Sequence, residues 1–259
     1  MTIRKMGQAW AVAVVVMAGW SHSAALIEWD FNAMVSNSSV PTQTIKTPGV
    51  NTTGLRRGAG MSSLGLSRFE GAWGGTLRDS TPYVPPLTRI IADNQDAAFL
   101  FDITVGPDFS LSLESIQTPW CGWYDPSGPG GTGGTLYGQW QYSLDNGATA
   151  WNDIGGSTGL LPFDRWDWVE LDLTEQSALQ DISNVTVTFR LLLWGGDHNT
   201  QFYFGKDTVL PVPGLTDNFP NTLIIYGTLI PIPEPSAITL IALSGVALLL
   251  RRRYKPRLG

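Results

Sequence analysis

The densest group of residues able to do chemistry lies between positions 164 and 172. It contains four carboxylates and two tryptophans: Asp164, Trp166, Asp167, Trp168, Glu170 and Asp172. Strand alternation would place both tryptophans on one face with Glu170 and Asp172. The pattern permits glycan contact through the two tryptophans, or hydrolysis by a pair of carboxylates that face one cleft. A solvent-facing strand with aromatic cover is the interpretation we favour, because alternation alone does not create a cleft.

A second group of oxygen ligands is the run Asp93-Asn94-Gln95-Asp96. Carboxylate and amide oxygens are the ligands that calcium prefers, so Asp93 and Asp96 could hold a structural calcium ion. The run lacks the alternating Asp pattern and distal Glu of an EF-hand loop. We therefore favour a turn or an exposed strand end here, and the sequence indicates no other cofactor.

Nucleophilic catalysis has little support in this sequence. Outside the N-terminal segment His198 is the only histidine, and it lies in a Gly-Gly-Asp-His-Asn run typical of a loop. Cys121 is the only cysteine, which excludes an intramolecular disulfide and favours a small buried thiol. No nucleophile elbow is present. We therefore predict a protein that is not an enzyme, with a lectin-like glycan-binding module or a glycan hydrolase as the alternative.

The first 25 residues have the three parts of a secretory signal peptide. Arg4 and Lys5 precede a short apolar run, and small residues follow it up to Ala25. The apolar run is short for a membrane anchor, so a removed signal is the better interpretation. We expect cleavage between Ser23 and Leu26.

The C-terminal segment, residues 231–259, has a distinctive order. Pro233, Glu234 and Pro235 precede the apolar stretch 237–250, and Arg251, Arg252 and Arg253 follow it. As a helix, fourteen residues at about 1.5 Å each reach roughly 21 Å, which is short of a typical hydrocarbon core of about 30 Å. Such a transmembrane helix would span with local thinning, its arginines acting as a cytoplasmic stop-transfer cluster. An ordinary tail anchor and a buried terminal helix are the alternatives.

This order of motif, short apolar helix and arginine cluster resembles the PEP-CTERM sorting signal of Gram-negative bacteria over residues 230–259. The resemblance implies that Pro233, Glu234 and Pro235 form the sorting motif. It also implies that an exosortase, a membrane-embedded protease, is a partner of the chain. The exported protein would be anchored transiently in the inner membrane and then delivered to the cell surface or extracellular matrix. Exopolysaccharide is a further candidate partner.

The region between the two ends, residues 26–230, is rich in period-2 alternation, which is typical of strands. Alternating apolar positions begin at Ile27 and recur up to Leu229, including Leu144; Arg190 falls on an outward position. Only residues 175–182 have helical character. Strands separated by Gly, Pro, Asn and Asp predict an all-β domain, an antiparallel and jelly-roll-like β-sandwich.

Composition limits the classes of partner. The 259 residues carry 16 basic and 22 acidic side chains, a net charge of −6. Seven of the basic residues lie in the two terminal segments, so the central domain is distinctly acidic. Nucleic acid is excluded as a partner, because no basic stripe is available to neutralise phosphates.

Overall fold

A computed structural model describes the body of the chain. The described residues are 23–32, 34, 41–62, 72–77, 86, 88–123, 135–145, 147, 150–159, 166–196, 200–205, 220–233 and 244. Most of the predicted signal peptide lies outside them, as do Asp164, His198 and the sorting-signal residues from Glu234 onward, apart from position 244. Within the described ranges, no helix is long and apolar enough to cross a membrane. The predicted transmembrane helix and its arginine cluster fall outside those ranges.

The first sheet contains eight antiparallel strands in the order β2-β1-β14-β8-β13-β6-β5, with β11 paired to β8. The bounds of its strands are β1 Ala24–Asp30, β2 Thr42–Lys46, β5 Met61–Ser62, β6 Ala72–Leu77, β8 Phe109–Trp123, β11 Asp167–Asp172, β13 Gln201–Gly205 and β14 Thr222–Pro231. Strand β1 thus includes the last two residues of the predicted signal peptide, Ala24 and Ala25.

The second sheet contains six antiparallel strands in the order β10-β9-β12-β7-β3, with β4 paired to β7. Its bounds are β3 Val50–Asn51, β4 Arg56–Arg57, β7 Ala98–Val105, β9 Leu136–Ser143, β10 Asn152–Gly159 and β12 Thr186–Gly195. The described helices are α1, Arg89–Gln95, and a 3-10 turn, Ser177–Leu179. The all-β, two-sheet prediction is confirmed.

Aromatic side chains from both sheets fill the space between them. Phe99 on β7 is 1% exposed, and its ring centroid lies 5.1 Å from that of Trp73 on β6. Phe202 and Phe204 on β13 lie 5.5 and 5.2 Å from the same ring. These tilted and edge-on contacts are the geometries that aromatic pairs prefer. They join the two sheets into one core.

One prediction of side-chain direction is wrong, and one outward residue is covered. Leu144 was expected on the apolar face of β9, but the strand ends at Ser143 and Leu144 is 41% exposed in the turn that follows. Arg190 points outward, as predicted, but its side chain is only 3% exposed. Alternation does place Arg190 away from the core; a second layer covers that outer face of β12.

The cover includes α1, a helix that the sequence analysis missed. Arg190 donates to Asp93 on α1 at 2.5 Å and to the Gln141 side chain at 2.7 Å. Its guanidinium carbon lies 3.9 Å from the centroid of the Trp151 ring. The sequence signal for α1 was the N-cap Thr88, whose hydroxyl accepts a hydrogen bond from the Ile91 amide at 3.4 Å. Only Ala92 of the helix is buried, so no apolar period marked it.

The same outer face holds a second ion pair with one buried partner, here the carboxylate. Asp102 on β7 is 7% exposed and accepts hydrogen bonds from Arg56 at 2.7 and 3.1 Å and from Thr53 at 2.7 Å. Burial alone would raise the pKa of Asp102, but the hydrogen bonds from Arg56, Thr53 and Thr188 outweigh it and lower the pKa. Asp102 therefore stays ionised and ties β4 to β7.

We expect Phe99→Ala to lower the free energy of unfolding by about 3–5 kcal/mol, because it leaves a cavity between the sheets. Urea denaturation followed by intrinsic fluorescence would measure the change. The exposed Leu144→Ala variant is the matched control and should stay within about 0.5 kcal/mol of the parent. Equal losses in the two variants would contradict the assignment of the core.

Candidate functional site

A groove of about 740 Å³ lies on the outer face of the eight-stranded sheet, where β8 pairs with β14 on one side and with β11 on the other. Its lining is polar and consists of Ser23, Glu114, Ser115, Gln117, Glu170, Asp172, Thr174 and Tyr226. The groove is the candidate functional site because it brings carboxylate, amide, hydroxyl and aromatic groups together on one face.

Strand register positions the groove residues. Glu170 and Asp172 on β11 lie opposite Gln117 and Ser115 on β8. Ser115 also lies opposite Tyr226 on β14. Because side chains at directly paired positions share a face, these five residues form a continuous outward surface across three strands. The intervening residues of β11 point the other way and pack against the core.

A β-bulge adds Glu114 to this surface. The register between β8 and β14 shifts because Tyr226 pairs with Ser115 and Gly227 with Leu113, which leaves Glu114 as an extra residue. Its carboxylate accepts a hydrogen bond from the Thr228 hydroxyl at 2.8 Å. A Cβ on residue 227 would lie 2.5 Å from the Ser112 carbonyl oxygen, so the close approach of the strands requires glycine there.

The two carboxylates of β11 that line the groove, Glu170 and Asp172, are both held as hydrogen-bond acceptors. Glu170 accepts from the Gln117 amide at 3.0 Å. Asp172 accepts from the Thr174 hydroxyl at 2.7 Å and from its backbone amide at 2.8 Å. These two bonds lower the pKa of Asp172, which is the opposite of the raised pKa that a glycosidase general acid needs. The geometry supports binding of hydroxyl donors.

The two tryptophans of the predicted constellation have different environments. Trp166 is 3% exposed, and its ring centroid lies 6.4 Å from that of Tyr203, so we correct its assignment as a glycan contact to that of a packed interior ring. Trp168 is half-buried and lies opposite Pro119, on the same face as Glu170. Two residues of a strand span about 6.6 Å, so Trp168 neighbours Glu170 along β11 but lies beyond the residues that line the groove.

The calcium candidates lie on the other sheet. Asp93 is in the last turn of α1 and pairs with Arg190, and Asp96 ends the helix in a left-handed conformation. The Asp96 carboxylate accepts from the Ala59 amide at 3.2 Å. The segment is a helix end, so the expected turn or strand end is corrected. The described parts of the chain contain no group of three His, Cys, Asp or Glu side chains that could hold a metal ion.

Cys121 is buried, as predicted, and its thiol donates to the Gly122 carbonyl at 3.1 Å.

Of the groove residues, the sequence pattern indicated Glu170 and Asp172 but not Glu114, Gln117 and Tyr226. Tyr226 and Gln117 were available from alternation, since their strand neighbours Ile225 and Ile116 point into the core. Glu114 could not be predicted from alternation, because a β-bulge interrupts the period-2 pattern without a sequence motif of its own.

Comparisons with known proteins identify no family. No family model matches the chain, and no curated protein matches it. Among solved structures, TmCBM61 in complex with β-1,4-galactotriose is 8% identical, with a TM-score of 0.25, covering 70% of this chain and 86% of that one. A structure of infectious bursal disease virus, Gx strain, is 9% identical with a TM-score of 0.24, covering 83% of this chain and 52% of that one. Scores this low establish no shared fold.

The contrast between the two tryptophans gives a test of the site geometry. Trp166→Ala should lower the free energy of unfolding by about 3–5 kcal/mol, because its ring is buried. Trp168→Ala should cost about 1 kcal/mol, because its ring is half-exposed. Chemical denaturation of both variants would measure the difference. A larger loss for Trp168→Ala than for Trp166→Ala would contradict the placement of the rings.

Proposed function

We propose that this chain is an exported, non-enzymatic protein of the cell surface or extracellular matrix that binds glycan, with exopolysaccharide as its partner. We propose that the glycan-binding domain is an antiparallel, jelly-roll-like sandwich. The observation that carries the proposal is the groove, whose acceptor-rich polar lining runs from Glu170 to Asp172 and Tyr226. Trp168 is not part of the lining; it lies two residues before Glu170 on the same face of β11.

The chemistry of the groove fits sugars better than apolar ligands. A sugar presents hydroxyl groups at its rim and C–H groups on its ring face. Carboxylate and amide oxygens such as those of Glu170, Gln117 and Asp172 accept from hydroxyls, and a tryptophan ring such as Trp168 covers the apolar ring face. The groove lies along the sheet surface, which suits a polymer that enters and leaves it.

The lowered pKa of Asp172 favours binding over hydrolysis. Hydrolysis with two carboxylates requires one of them to be protonated at the working pH. Hydrogen bonds from Thr174 lower the pKa of Asp172, and Glu170 already accepts from Gln117. The lowered pKa of Asp172 disfavours it as the proton donor.

The test uses the full precursor expressed in a Gram-negative host and purified after export. A glycan array would identify a ligand, and calorimetry would measure its affinity. We expect Trp168→Ala to weaken the affinity at least about tenfold, which is 1.4 kcal/mol, because the stacking surface is lost. Trp194→Ala is the matched control, since Trp194 is also a half-buried tryptophan, on the other sheet, stacked on Tyr137.

Unchanged affinity in Trp168→Ala, or an equal loss in Trp194→Ala, would refute the proposed glycan site.

A different variant, Glu170→Gln, tests the alternative that the protein is a glycan hydrolase. If the protein released product from the same glycan and Glu170→Gln abolished the release, the site would be catalytic and the non-enzymatic proposal would be wrong.

The sorting part of the proposal is supported by where the folded domain ends. Strand β14 ends at Pro231, the Ile232 amide donates to the Asp108 carbonyl at 2.7 Å, and Pro233 is exposed. Among the described residues, the proposed motif therefore starts directly after a residue bonded to the sandwich. An exosortase would meet a segment whose prolines fix φ and leave few competing backbone donors.

Deletion of residues 233–259 should release the protein from the membrane or misroute it, because both the motif and the proposed transmembrane helix are lost. Fractionation with surface protease accessibility would measure delivery. The deletion leaves the described strands complete, so thermal unfolding of the secreted product serves as a control for folding. Unchanged delivery to the surface would disprove sorting through this segment.

A further inference from the structure

We infer that removal of the signal peptide completes the groove: the new α-ammonium group enters its rim beside Glu114. The inference rests on the proposed export, because only an exported chain loses its first residues. It goes further in assigning a role in the site to the processed N-terminus.

The start of β1 lies at the groove. Ser23 is exposed and lines it, and Ala24 and Ala25 are the first residues of the strand. Ala25 lies opposite Tyr226 and Ala24 opposite Gly227 on β14. All the bonds at which cleavage is expected, between Ser23 and Leu26, therefore lie at the groove wall. Cleavage at any of them removes Ser23 and leaves a free amine there.

Glu114 is the carboxylate that this amine meets. Its two strand neighbours, Ser115 and Leu113, pair with Tyr226 and Gly227, the same β14 residues that lie opposite Ala25 and Ala24. Strands β1 and β8 flank β14, so they lie about 9.6 Å apart. The Glu114 side chain leans across that gap, since it accepts a hydrogen bond from Thr228 on β14.

The charges around this rim favour the protonated amine. Glu114 faces it from β8, with Glu170 and Asp172 beyond it on β11 and the Tyr226 side chain between them on β14. On β1 itself, Glu28 lies opposite Ile224, which pairs with Gln117, so it adds a further carboxylate to this face. On the other side, β2 contributes Lys46, which is exposed and lies opposite Ile27, farther along the strand. An α-amino group has an ordinary pKa of about 7.7–8.0, and a neighbouring carboxylate raises it.

The consequence is a groove that differs between precursor and processed protein. In the precursor, Ser23 borders the acidic lining. After processing, the α-ammonium group places three N–H donors among the acceptors of the groove. Its attraction to Glu114 also holds the first residues of β1 in place. Sugar oxygens would then find donors as well as acceptors in one site.

The experiment measures acylation of the α-amino group in the exported protein. Mass spectrometry of the N-terminal peptide first defines the cut, then follows labelling by limiting succinimidyl acetate at pH 7, with Lys46 as an internal reference. We expect Glu114→Gln to speed α-amino labelling about tenfold, the effect of lowering an amine pKa by about one unit. Glu170→Gln, the matched control on β11, should change it less than about twofold.

The pH dependence of wild-type labelling gives the α-amino pKa directly, so the inference stays testable even if Glu114→Gln does not fold. We expect a pKa above the ordinary range. A cut chain with an ordinary α-amino pKa, or with labelling insensitive to Glu114→Gln, would overturn the inference and leave the glycan proposal intact. An exported chain that retains residues 1–22 would instead contradict the proposed processing.

Discussion

The structure depends on aromatic packing between the two sheets. Phe99 touches Trp73, Phe202 and Phe204 across the interface, and Trp29 meets Phe101 with ring centroids 5.3 Å apart. Large rings bury much area for few rotatable bonds, so they hold two sheets in one relative position. That fixed position allows the outer faces to carry polar groups that contribute little to the core.

The two outer faces use their polar groups differently. On the six-stranded sheet, Arg190 is buried. Its guanidinium binds Asp93 and Gln141 by hydrogen bonds and stacks on Trp151, so these groups already interact with one another. Breaking a pair of this kind leaves a charge without compensation, so the face acts as a support for α1. On the eight-stranded sheet the acceptors around Glu170 and Asp172 remain at the surface of an open groove. The second face is therefore the one suited to a ligand.

The sequence was most informative where side-chain period and burial coincide. Ile27, Trp29 and the run from Phe99 to Val105 were predicted as strands facing the core, and they are. It was least informative where contacts distant in the chain decide burial. Arg190 has the position of an exposed residue and is covered because α1, whose Asp93 lies 97 residues earlier, and the Trp151 ring both pack on it. Glu170 and Asp172 could be predicted as neighbours on one face, but not their pairing with Gln117 and Ser115, which depends on a strand about 50 residues away.

The pairing of β1 with β14 connects the ends of the chain to the groove. Because these strands are antiparallel, Ala24 lies opposite Gly227, only four residues before the end of β14 at Pro231. Four residues of strand span about 13 Å, so the two points at which the proposed targeting segments join the domain lie at the same end of one sheet. A chain held by both segments would therefore present this end to the membrane. Glu114 and Tyr226 lie near that end, which places the groove close to both proposed sites of processing.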